Sequence, residues 1–94
     1  MLSHHTNRPL VDAEALALAA LAATLSDERR AVRFLDITGI DADGLRERVG
    51  AGDSGLLAAV LMFLENHEPD LLAVAGTMGV APSDLVAARS QLER

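Results

Sequence analysis

The chain has 94 residues, the size of one compact domain, and half of it is hydrophobic, which excludes a disordered polymer. Only 2% is aromatic, and the apolar mass is Leu, Ala and Val, so composition points to helices and away from strands. The net charge of −6 opposes nonspecific binding to phosphate, and the absence of Cys excludes disulfides, thiol nucleophiles and thiolate metal sites.

Met1 to Arg8 has no periodicity, so residues 1–8 are expected to be a disordered tail and residues 9–94 a single helical domain. His4 and His5 stand side by side in that tail, where two adjacent imidazoles without further ligands read as solvated side chains and not as a metal site. No basic segment precedes an apolar one here, as a secretory signal requires. No apolar run approaches the roughly 20 residues that span a bilayer. A soluble cytoplasmic protein is the expectation.

Pro9 suits a first helical turn, and Asp12 and Glu14 add favourable negative charge near that helix start. In the helix that follows, Leu18, Leu21 and Leu25 fall on one stripe with Leu16 beside it, and the alanines between them permit close helix approach. Ser26 reads as the cap of a second helix running to about Ile37. Its inner face is expected to hold Ala31, Phe34, Leu35 and Val32, with Arg29, Arg30 and Arg33 on a solvated outer edge. Gly39 reads as a left-handed helix stop, with Ile40 as its hydrophobic contact. Asp41 then caps a short third helix, in which Leu45 and Val49 share a face. Gly50-Ala51-Gly52-Asp53 is a loop, without the strand, frame or Lys of a phosphate-binding loop.

Leu56 to Leu64, LLAAVLMFL, contains no polar side chain. A helix apolar on every side must be covered on every side, so residues of about 54–66, capped by Ser54 or Asp53, are expected to form a buried central helix with Met62 and Phe63 as its bulkiest part. A fifth helix opens near Pro69 and carries Leu71, Leu72, Val74, Ala75 and Met78. Gly79-Val80 repeats the stop of Gly39-Ile40. Pro82 opens the last helix, with Leu85, Ala88 and Leu92 inside.

The fold class expected is therefore all-α: a bundle of five or six short helices, each marginal alone and held by packing. An offset of 40 residues aligns Leu21 with Leu61, Glu28 with Glu68, Gly39 with Gly79 and Leu45 with Leu85. The order of devices repeats as well, which points to two similar three-helix halves packed about a pseudo-twofold.

Residues 70–92 have the small residue, turn glycine and flanking apolar positions of a helix-turn-helix. A recognition helix needs a basic, polar outer face, and the last helix offers Ser83, Asp84, Ala87, Arg89, Ser90 and Gln91, with one cation. Glu65, His67 and Glu68 cluster at a helix junction, but their spacing matches no metal or acid–base motif, and helix capping accounts for them. No catalytic, cofactor-binding or metal-binding residue is assigned, and no cofactor or enzyme activity is expected.

Arg33-Phe34-Leu35 running into Thr38-Gly39-Ile40-Asp41, then Leu45-Arg46, then Leu56 to Leu61 with Phe63-Leu64 and His67-Glu68-Pro69, and finally Gly79-Val80-Ala81-Pro82 occur in a distinctive order. On these segments the chain resembles the small alphaproteobacterial proteins grouped as domain-of-unknown-function family 3572, over nearly its whole length after about residue 10. The resemblance implies a cytoplasmic bacterial helical domain and supplies no functional residues. Two functions are carried forward. The first is a module that binds another protein or itself, since a small domain cannot hide all its apolar surface. The alternative is a regulatory DNA-binding module using the segment around 70–92. No membrane association is expected, and the sequence leaves the partner and the oligomeric state open.

Overall fold

Six helices follow one another along the chain: α1 (Arg8–Leu25), α2 (Glu28–Thr38), α3 (Ala42–Gly50), α4 (Ser54–Glu65), α5 (Glu68–Met78) and α6 (Pro82–Leu92). The computed structural model describes the backbone of residues 8–93 and the side chains from Asp12 to Glu93. Arg8, expected in the tail, begins α1, while His4 and His5 lie outside the described residues. No strand occurs among the described residues, and the fold is an all-α bundle.

The helix ends are set by local chemistry. Asp27, and not Ser26, caps α2, its carboxylate accepting from the Arg29 N–H at 3.1 Å. Ser26 is held elsewhere, because its hydroxyl donates to the Ala23 carbonyl left open at the end of α1. Asp41 caps α3 through the Gly44 N–H at 2.7 Å, and Asp53 caps α4 through the N–H groups of Gly55 and Leu56. Gly39 and Gly79 sit at φ +71° and +72°, the left-handed backbone that ends α2 and α5. Ile40 and Val80, which follow them, pack against the core.

α4 is as buried as its composition predicts over most of its surface: Leu56, Leu57, Val60, Leu61, Phe63 and Leu64 are all enclosed. It packs on α1, α6, α5 and α2. The Phe34 and Phe63 rings meet edge to face, with centroids 5.4 Å apart, and join α2 to α4. One side of α4 departs from the expectation. Met62 is 41% exposed, because no helix crosses the face it shares with Gly55, Ala58 and Ala59.

α1 shares the central position, through a face that keeps Leu21 of the expected stripe but is made mostly of alanine. Its enclosed residues are Ala13, Ala17, Ala20, Leu21, Ala23 and Thr24. Leu16 and Leu25 are only partly buried, and Leu18 is 45% exposed. The reason is distance of approach. An alanine face lets α1 lie close to α6, α4, α5 and α2, whereas a leucine stripe would hold them off. Thr24 tolerates full burial because its hydroxyl donates to the Ala20 carbonyl at 2.7 Å.

Val32 on α2 and Val49 on α3, expected inside, are outside, and so is Leu72 on α5. Each of these helices touches the bundle along a narrow line. That line is covered by Phe34, by Leu45, and by Val74 with Ala75. In α6, Leu85 and Ala88 are enclosed and Leu92 is partly buried, as expected.

The two halves repeat in detail up to their third helices. The ends of α1 and α4, both ends of α2 and α5, and the starts of α3 and α6 are all offset by 40 residues. Enclosed positions 17, 20, 21, 23 and 24 of α1 recur as 57, 60, 61, 63 and 64 of α4. The packing then diverges: α6 lies extensively on α1 and α4, and α3 makes no comparable contact.

Candidate functional site

The cationic edge of α2 is structural. Arg33 reaches α5, where its Nη2 donates to both carboxylate oxygens of Asp70 at 2.8 and 2.7 Å. Asp70 is buried, so this pair satisfies a carboxylate that would otherwise be isolated from water. Arg30 pairs with Asp27 and donates to the Ala23 carbonyl, closing α1. On α3, Arg46 pairs with Asp43, and Arg48 with Asp53. The Arg48 hydrogen bond, ahead of that from the Leu56 N–H, holds the Asp53 carboxyl below its ordinary range. Among the described residues, Arg29 is the one arginine outside an ion pair.

The junction of Glu65, His67 and Glu68 is a joint between helices. His67 Nδ1 donates to the Phe63 carbonyl at 2.8 Å, and its ring lies against Phe63 with centroids 4.7 Å apart. Glu65 turns away to Arg89 of α6. Glu68 is exposed at the start of α5. Among the described residues, no group of three or more His, Asp or Glu is placed to hold a metal.

The segment around 70–92 does form a helix-turn-helix in shape: α5 and α6 cross at 99° about the Gly79 turn. Its chemistry is different. Arg89, the one cation of α6, is held by Glu65 and Glu93, and Glu65 raises its pKa further above the ordinary value. Asp84 bonds the Ala81 N–H at the helix start, and its neighbourhood includes Asp12, Leu16 and Gln91.

What remains is exposed apolar surface: Val32, Leu72 and Val86 stand apart, and four other large apolar residues line two depressions beside α4. On one side, Ile37 of α2 and Met62 line a shallow groove of about 370 Å³ floored by Gly55, Ala58 and Ala59. Ile37 is the most exposed of the large hydrophobic residues described, at 58%. On the other side, Leu18 of α1 and Val49 of α3 face a smaller, more enclosed pit of about 110 Å³. Leu57 lies at its base, and Glu14, Gly52 and Asp53 complete its wall. Leu18, Val49 and Met62 were expected in the core, and the structure places all three on these two depressions. Sequence periodicity cannot locate them, because it reports which residues are apolar and not which faces find a neighbour.

Among the described residues, no single helix is long and apolar enough to cross a membrane. Comparison with curated proteins finds no match, and comparison with solved structures finds none. Residues 11–94 match the family described as "Protein of unknown function (DUF3572)". The match covers all six helices but the first residues of α1, and with it the chain belongs to the DUF3572 family.

Proposed function

We propose that this protein is a small interaction module without catalytic chemistry, whose docking surface is formed by the apolar depressions flanking α4. One observation carries the reading. Four large apolar residues that the core does not use line two concavities, Ile37 with Met62 in one and Leu18 with Val49 in the other. Scattered exposed leucines are ordinary, but paired ones lining a depression resemble the apolar centre of an interface. Nothing in the local capping or ion pairing requires these side chains to be large.

The DNA-binding alternative has the 99° crossing in its favour. It is the weaker reading on charge. The exposed side of α6 near its start carries Asp84, and Arg89 is already engaged, so few donors are left for phosphate. No shift of duplex DNA is expected at low salt, and a salt-sensitive shift would restore this reading.

The test compares tagged wild-type protein, Ile37→Ser/Met62→Ser, Leu18→Ser/Val49→Ser and the control Glu47→Gln, each recovered from its native cell after confirming unchanged circular dichroism. A polypeptide that co-purifies with the wild type and the control but is lost from one double variant supports the reading. Identical co-purifying sets for all four, with every protein monomeric by light scattering, would falsify it.

A further inference from the structure

We infer that the pit between α1, α3 and α4 receives one aliphatic side chain of a basic, amphipathic segment from another protein. This rests on the interaction-module reading and adds the site and the chemistry of its occupant. Size sets the first half. The pit is about 110 Å³, and its apolar lining is Leu18, Val49 and Leu57. An apolar cavity of about 150 Å³ holds a benzene ring, so this smaller space suits Leu, Ile, Val or Met better than an aromatic ring. A single buried aliphatic anchor in such a pocket is a common centre of binding energy.

Charge sets the second half. Glu14 stands in the pit wall, and no arginine among the described residues pairs with it. Asp53 is also in the wall, and its partner Arg48 belongs to the same end of α3. A Lys or Arg beside the anchor residue would meet Glu14, within a protein of net charge −6 that steers cations toward it. A second copy of this chain is a poor occupant. It carries the same −6, and its described arginines other than Arg29 are already held in ion pairs.

The test uses three fluorescein-labelled helical peptides of one length and one pattern. The first carries leucine anchors with lysine flanks, the second leucine with glutamate, and the third alanine with lysine. Binding to the full chain is read by anisotropy and mapped by amide chemical shifts. The leucine–lysine peptide is expected to bind saturably and to shift Leu18, Val49 and Leu57. Replacing leucine by alanine should weaken it about tenfold or more. Glu14→Gln should weaken it about threefold and reduce its salt dependence. Leu18→Ser should remove binding, and Met62→Ser should not.

Shifts confined to Ile37 and Met62 would overturn this site while leaving the interaction-module reading intact. Equal binding of the lysine and glutamate peptides would overturn the charge assignment. Shifts spread over the acidic surface, or no saturable binding by any peptide, would overturn the proposal. A concentration-dependent dimer abolished by Leu18→Ser would give the pit to a second copy instead.

Discussion

α1 and α4 are the corresponding helices of the two halves, with five enclosed positions in common and, apart from the leucine that both carry at 21 and 61, smaller side chains on α1. At the shared buried positions α1 has Ala17, Ala20, Leu21, Ala23 and Thr24, while α4 has Leu57, Val60, Leu61, Phe63 and Leu64. α1 packs against α4, and small side chains on one helix with larger ones on the other let the two lie close without overfilling the space between them. The third helices differ more. Position 88 of α6 is an alanine that buries, and its counterpart on α3 is Arg48, which stays at the surface and pairs with Asp53. α6 can therefore lie down on α1 and α4, and α3 remains at the edge, leaving Val49 over the pit. A common helical plan thus accommodates two kinds of third helix: one that closes the core, and one that leaves a concavity beside it.

The comparison is most severely broken on the large side. Leu61→Asp or Phe63→Asp places an unpaired carboxylate in the core and should cost more than about 4 kcal/mol, enough to unfold a marginal domain. Loss of helical circular dichroism at 25 °C would show it, and a folded variant would mean that α4 lies on a surface. Truncation is milder: Leu64→Ala should cost about 2–5 kcal/mol by urea unfolding. On the small side the sign of the volume change reverses. Ala20→Leu should cost about 1–3 kcal/mol by overpacking, although it adds apolar surface and keeps helix propensity. A stabilised Ala20→Leu protein would show that α1 is loosely packed and that the size complementarity is not real.

The ion pair between the halves is next. Arg33→Ala leaves Asp70 enclosed without its cation and should cost about 1–3 kcal/mol. Restoring part of that loss with the double variant Arg33→Ala/Asp70→Ala would separate the buried charge from the lost packing.

The smallest effect sharpens the contrast at the third helices. Asp53 is held below its ordinary pKa by Arg48 and then by the Leu56 N–H. Its folded pKa lies below the unfolded value near about 3.9, so its contribution is present above that value and is lost as pH falls through the folded one. Asp53→Asn should therefore flatten the acid limb of the stability curve measured by urea midpoints between pH 7 and pH 2. An unchanged limb would place the acid sensitivity in the other carboxylates.

Legibility differed between backbone and surface. Gly39 and Gly79 revealed two helix ends because a left-handed residue after a helical run has few alternatives, and Asp41 marked a start for the same local reason. Ser26 misled by one residue, since Ser and Asp are both good caps and only the geometry shows Asp27 taking the α2 N–H. The cations of α2 were legible as an edge, but the span from Arg33 to Asp70 was not, because a contact across 37 residues leaves no periodic trace. The candidate pit was not legible at all. Leu18 and Val49 both read as core, and their exposure follows from where α3 stops short.

The sequence alone determined the helix content, the positions of most caps and stops, the 40-residue recurrence and the absence of any cysteine chemistry, because each depends on neighbours within a few residues or on composition. The tertiary structure decided which face of α1 is inside, that α3 stays peripheral while α6 closes the core, and which apolar residues are left lining depressions at the surface. Those outcomes depend on how closely two helices approach, and that distance is set by the sum of side chains from both of them.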